Sequence, residues 1–156
     1  MKFIVLVILI AIIALYFSRN SHNKKIATEN ISIGKAFLSK NKLVEGVSET
    51  PSGLQYLVLQ QGSSTEHPTS SSKVKVHYHG SLLDGTVFDS SVDRGSPISF
   101  RLNQVIKGWT EGVQLMVVGD KFKFFIPANL AYGNSAAGKI SPGSLLIFEV
   151  ELLDIH

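Results

Sequence analysis

The sequence predicts an α+β fold in which a twisted antiparallel sheet covers one short helix, with a hydrophobic helix in front of it. Three observations predict it. Apolar and polar residues alternate over several separate runs, the stretch from Lys107 to Val113 has helical spacing, and the run from Phe3 to Phe17 contains no charged residue.

The apolar run comes first in the chain and supplies much of the positive mean hydropathy of +0.20. As a helix it spans about 22 Å, against a hydrocarbon core of about 30 Å, so a full crossing needs Ser18 and its neighbours. That length also suits the core of an export signal. However, Tyr16-Phe17-Ser18-Arg19-Asn20 offers no small-residue cleavage site, so an uncleaved anchor over residues 1–18 is expected. Orientation is contested. Lys2 precedes the segment while Arg19, Lys24 and Lys25 follow it, and charge alone favours a cytoplasmic domain, whereas export segments of this kind place the amino terminus inside.

Residues 19–46 read as a basic linker followed by a short helix. Ser18 to Lys25 is polar, and a helix from Ile26 to Leu43 is expected, with Thr28 and Glu29 as start signals and Ile33, Ala36, Phe37 and Lys40 along one face. Pro51-Ser-Gly53 then breaks the chain inside a domain running from 47 to 156, and Leu54 to Gln60 follows as a first strand. Gly62 to Ser72, rich in Ser and Thr, reads as a solvent-facing loop. The next strand puts Val74, Val76 and Tyr78 on its buried face. Later strands bury Ile98, Phe100 and Leu102, then Phe122, Phe124 and Ile126, then Leu146, Phe148, Val150 and Leu152. Between them, Trp109 and Val113 lie four apart on the core helix, and Gly112 lets that helix approach the sheet closely.

With 156 residues the chain has room for one compact domain and an appendage. It has no cysteine, which excludes disulfides, thiolate nucleophiles, Cys-ligated zinc and a lipid-modified Cys. The net charge of +3 comes from lysines scattered among acids, so no nucleic-acid partner is expected. His77 and His79 point to the same strand face, but no third ligand stands nearby; no metal is assigned, and an exposed face is expected. Arg94 and Lys107 are read as solvated.

The densest signal is Val74-Lys-Val-His-Tyr-His-Gly-Ser-Leu-Leu-Asp-Gly-Thr-Val-Phe-Asp-Ser-Ser91, answered by Val105-Ile-Lys-Gly-Trp109 and Leu130-Ala-Tyr-Gly133. Together these segments bring aromatic residues and one carboxylate into an apolar pocket with almost no acid–base chemistry. Such a pocket binds and desolvates. Taken singly, Trp109, Phe88 and Phe100 each read as core residues, and Asp89-Ser-Ser91 suits an Asx-turn.

Over Thr50 to Ile155 the set resembles the FKBP-type peptidyl-prolyl isomerases, the rapamycin-binding family, and among them the bacterial Mip-like branch. The resemblance implies a sheet of five or six strands wrapped around the helix, and an isomerase domain over 47–156. It implies a catalytic set of Asp89, Tyr132 and Tyr78: Tyr132 donates to a substrate carbonyl, Tyr78 orients Asp89, and Asp89 acts by electrostatics near the twisting carbonyl. The substrate-binding wall it implies comprises Phe88, Ile98, Phe100, Val105, Ile106, Trp109, Ile140 and Phe148, with Trp109 as floor and the Ile106 N–H as second donor. No cofactor is implied. Rotating a prolyl amide needs no nucleophile, only surroundings that disfavour the dipolar planar amide more than the less dipolar twisted one.

The sequence departs from the family pattern in two places. Ile98 stands where some members carry an aromatic ring, and the loop Asn134 to Pro142 offers only Ala136, Ala137 and Ile140 as apolar contacts. Gly34 to Lys42 looks like the last turns of a dimerising arm; so short a piece is marginal as an isolated helix, and a monomer is expected. The implied partners are proline-containing unfolded or nascent proteins, rapamycin-like macrocycles, and the membrane through the N-terminal segment. The implied location is the bacterial inner membrane with a periplasmic domain, the alternatives being secretion after cleavage and a cytoplasm-facing domain. The function expected is peptidyl-prolyl isomerisation during folding of envelope proteins; a non-catalytic tethered binding or chaperone module is the alternative. The insertions that build client-binding domains in some members are missing between Val87 and Ile98 and around Tyr132.

Overall fold

The computed structural model describes the backbone from Lys2 to His156, with side chains from Ile8 onward. Its first element, α1 (Lys2–Asn41), is one helix of 40 residues, about 60 Å long. No break separates an apolar segment from a second helix at Ile26, as the polar stretch had suggested. That stretch contains neither Pro nor Gly, and continuing a helix through Ser, Asn and His costs only tenths of a kcal/mol per residue. Thr28 caps nothing; its hydroxyl donates back to the Lys24 carbonyl at 2.9 Å, the bond of a helix-interior threonine. The stub on which the expectation of a monomer rested is therefore the end of a much longer helix.

The two halves of α1 differ. Ile8 to Phe17 carries exposed side chains, among them Leu15 at 70%. The part of the apolar run before Ile8 lies outside the described side chains, and among the described residues no helix is long and apolar enough to cross a membrane. The second half packs on the sheet domain. Ala27 is buried, Phe37 meets Phe125 with ring centroids 5.8 Å apart, and Asn30 donates to the Pro142 carbonyl at 2.8 Å. Near the helix end, Asn41 donates to the Gln55 side-chain oxygen at 2.8 Å, and Gln55 donates to the Leu38 carbonyl at 2.9 Å.

The strands are β1 (Val47–Glu49), β2 (Gln55–Gln60), β3 (Lys73–Ser81), β4 (Val87–Ser90), β5 (Ile98–Arg101), β6 (Lys121–Ile126) and β7 (Leu146–Ile155). They form one seven-stranded antiparallel sheet in the order β1-β2-β6-β7-β3-β4, with β5 also pairing β3. The count exceeds five or six because the short β1 adds an outer edge. Two further helices interrupt the strands, α2 (Ser91–Arg94) and α3 (Lys107–Val113).

Alternation buries one face of the sheet against α3. Val74, Val76 and Tyr78 of β3, Phe122, Phe124 and Ile126 of β6, and Phe148, Val150 and Leu152 of β7 form the core with Trp109 and Val113. The helix sits low on the sheet because Gly108 and Gly112 face it. A Cβ on Gly108 would come within 2.5 Å of Ile126, and one on Gly112 within 2.6 Å of Phe124. Trp109, between these glycines, packs against Tyr78, Phe100 and Phe148.

Candidate active site

The site begins with an interruption in a strand edge. On the side of β3 away from β7, β5 pairs with Lys73 to Val76 and β4 with His79 to Ser81. Between them the ladder is missing at Tyr78, and the side chain of Ser91 replaces it. The Tyr78 N–H donates to Ser91 Oγ at 2.8 Å in a fully buried position. The edge partner is thus split into two strands with α2 between, which sends Phe88 and Asp89 from one strand and Ile98 and Phe100 from the other into a single concavity.

The concavity is a cavity of about 710 Å³. Trp109, buried to 5% exposure, is its floor. Tyr78 and Phe148 meet the indole edge-on at 5.3 and 5.1 Å, and Phe100 lies tilted at 5.3 Å. Phe88 extends the wall, edge-on to Phe148 at 5.3 Å. The indole N–H has no hydrogen-bond acceptor among the described residues. Ile98, Val105, Ile106 and Ile140 complete the apolar lining, with Tyr132 at the rim. Every residue of the expected catalytic set and substrate-binding wall therefore borders this one cavity.

The polar side is a three-way cluster. The Tyr78 hydroxyl donates to one Asp89 oxygen, Arg94 donates to the other, and a second Arg94 nitrogen reaches the Tyr78 oxygen at 3.0 Å. Arg94 is exposed, as expected, but it is also engaged: the turn of α2, stopped by Gly95, brings it back over Tyr78, 5.8 Å from the ring centre. Asp89 spends its oxygens on these long-range bonds instead of an Asx-turn. Burial pushes its carboxyl up, but the hydrogen bonds from Tyr78 and Arg94 and the charge of Arg94 outweigh this and hold it below the usual carboxylate range. Burial, and then the Asp89 hydrogen bond, push the Tyr78 phenol up.

Besides the indole N–H, two more donors at the cavity are left over. The Tyr132 hydroxyl and the Ile106 N–H have no acceptor among the described residues. His77 and His79, expected on an exposed face, are half-buried; their Nδ1 atoms lie 2.9 Å from the hydroxyls of Ser91 and Ser90, tying β3 to α2. Ala136, expected as a loop contact, is exposed and outside the lining, while Gln104, Ala137, Gly138 and Lys139 belong to it. Sequence reasoning passed over Gln104 and Lys139, although each stands next to a wall residue that it had found.

Comparison with known proteins agrees along the chain. Residues 64–153 match the family model described as FKBP-type peptidyl-prolyl cis-trans isomerase, and residues 10–58 match a domain described as amino terminal to it. The FKBP-type isomerase FkpA of Aeromonas hydrophila is 57% identical over 132 residues, covering 85% of this chain and 49% of that protein. The outer membrane protein MIP of Legionella longbeachae is 46% identical over 138 residues, 88% of this chain and 59% of that one. The chain thus spans about half the length of the curated relatives it matches. Among solved structures, FkpA from Escherichia coli superposes with a TM-score of 0.83 at 40% identity, covering 94% of this chain and 71% of that one. A Pseudomonas syringae peptidyl-prolyl isomerase gives 0.76 at 35% identity, covering 83% and 95%. The match of the family model to more than half the residues, on the strands and helix that build the cavity, makes this chain a member of the FKBP-type peptidyl-prolyl cis-trans isomerase family.

Proposed function

We propose that the chain accelerates cis–trans rotation about Xaa-Pro bonds of proteins folding in the cell envelope. The observation that carries this reading is an aromatic cavity floored by Trp109 whose unspent donors include Tyr132 Oη–H and Ile106 N–H beside the indole N–H. The proline ring packs on the indole. The planar amide loses water on entry, and because the twisted amide is less dipolar, desolvation raises the ground state more than the transition state. The two donors hold flanking carbonyls while the bond turns. Asp89 stays ionised and acts by its field on the rotating carbonyl; no proton moves, and no cofactor enters.

Catalytic roles therefore fall to Asp89, Tyr132 and Tyr78, and proline contact to Trp109, Phe88, Phe100 and Phe148 with the aliphatic wall. The same cavity has the size and apolar lining for a rapamycin-like macrocycle. The test is protease-coupled isomerisation of a neutral Xaa-Pro peptide by the full chain in mild detergent, with and without rapamycin. Rapamycin-sensitive acceleration supports the reading. Rapamycin binding without acceleration makes the domain a binding module, and the absence of both binding and acceleration overturns the site.

For location, we infer a membrane anchor over residues 1–18 with the domain outside the cytoplasm. The exposed apolar side chains from Ile8 to Phe17 support it, and one relative is named an outer membrane protein. A phosphatase fused after His156 should be active; activity of a cytoplasmic reporter at the same position, or release of the protein without membrane association, overturns the assignment.

A further inference from the structure

We propose that Lys139 makes this cavity selective for peptides carrying an acidic residue beside the proline, an inference that rests on the isomerase reading of the site. Two charged side chains border the cavity, Asp89 and Lys139. Asp89 is already compensated by the Arg94 guanidinium and the Tyr78 hydroxyl. Lys139 has no ion pair and no hydrogen bond among the described residues, so it is the uncompensated charge at the mouth.

Its position is set by a tight turn. Ala137 N–H donates to the Ile140 carbonyl at 2.9 Å, and Ile140 N–H donates back at 2.8 Å, closing a two-residue hairpin. Gly138 takes the positive φ of 54° that such a turn requires. Ile140 is buried in the cavity wall at 5% exposure, which anchors the hairpin. Lys139 is exposed beside it and borders the cavity, within reach of a residue next to a proline that occupies the cavity. Gln104, also on the lining, is neutral. An acidic side chain beside the proline gains a cation here at no cost to an existing pair, and a basic one meets an unpaired like charge.

An exposed pair of this kind is worth about two- to fivefold in affinity at low salt and fades as the Debye length shortens. The experiment measures kcat/KM of the full chain on peptides with Glu, Gln or Lys next to the proline, on either side, at low and high salt. Expected is a Glu-to-Lys ratio above about three on one side at low salt, carried by KM and falling toward unity with added salt. In Lys139→Gln the ratio should approach unity, and in Lys139→Glu it should invert. Since the ratio is taken within each variant, a general loss of activity does not move it. Acceleration of the Gln peptide by the wild-type chain tests the isomerase reading separately. If that acceleration is present while the ratio is near unity, or survives in Lys139→Glu, the assignment of Lys139 is wrong.

Discussion

Ser91 Oγ accepts the backbone N–H of Tyr78 at 2.8 Å and stands in for a missing strand carbonyl. Its hydroxyl also lies 3.3 Å from the Tyr78 carbonyl and 2.9 Å from His77 Nδ1, so one buried side chain closes the gap between β4 and β5. Ser91→Ala leaves a buried N–H without an acceptor. The expected loss is about 1–3 kcal/mol of stability, measured by denaturant unfolding, with a larger fall in isomerase activity than Ser90→Ala produces. An unchanged unfolding midpoint would mean that β3 and α2 hold together without this bond.

Arg94 governs the charge of Asp89. With the folded-state pKa depressed, the ionised carboxylate contributes stability that is complete above its unfolded value of about 3.9 and is lost as pH falls through the lower folded value. Isomerase activity should therefore be level from neutral pH down to the ordinary carboxylate range. In Arg94→Leu, burial is opposed only by the Tyr78 hydrogen bond and that of the Ser90 backbone, so the acid limb should move to higher pH. Carboxylate titration by NMR checks this, and an unmoved limb would remove Asp89 from the reaction.

The sheet and the core helix were legible because each rests on a local pattern, alternation in β3, β6 and β7 and the spacing of Trp109, Gly112 and Val113 in α3; the cavity lining came from the family resemblance, since Trp109, Phe88 and Phe100 singly read as core. The length of α1 was not legible, since polar residues at 18–25 look like a linker, and only the packing of Ala27, Asn30 and Phe37 on the domain shows that the helix belongs to it. Arg94 was missed for a related reason. An arginine five residues after an aspartate carries no periodic signal, and the reversal that joins them depends on α2 ending at Gly95 in the left-handed conformation. β1 is too short for alternation to register, with three residues against the outer edge of β2.

Close approach of α3 to the sheet gives a third expectation. Gly112→Ala places a methyl 2.6 Å from Phe124 Cε1, where the ring is wholly buried and has no room to retreat. Overpacking of this kind costs about 1–3 kcal/mol. Phe124→Leu costs stability on its own by leaving a void, yet combined with Gly112→Ala it should recover part of the loss. A double-mutant cycle checks the coupling; strict additivity would place the helix farther from the sheet than described.

Trp109 and Tyr132 should fail differently. Trp109→Ala empties the floor beneath three aromatic rings, and a loss of about 3–5 kcal/mol in stability is expected together with weaker macrocycle binding. Tyr132 is 43% exposed and its hydroxyl bonds to nothing else among the described residues, so Tyr132→Phe should leave the unfolding midpoint in place. What it removes is one hydrogen bond to substrate, about 0.5–1.5 kcal/mol, or a two- to tenfold fall in kcat/KM. A fall confined to KM would make Tyr132 a binding group, because a bond that acts equally on planar and twisted amide leaves kcat unchanged. A fall in kcat would show that the bond strengthens as the amide turns, which is the role its open position at the rim allows.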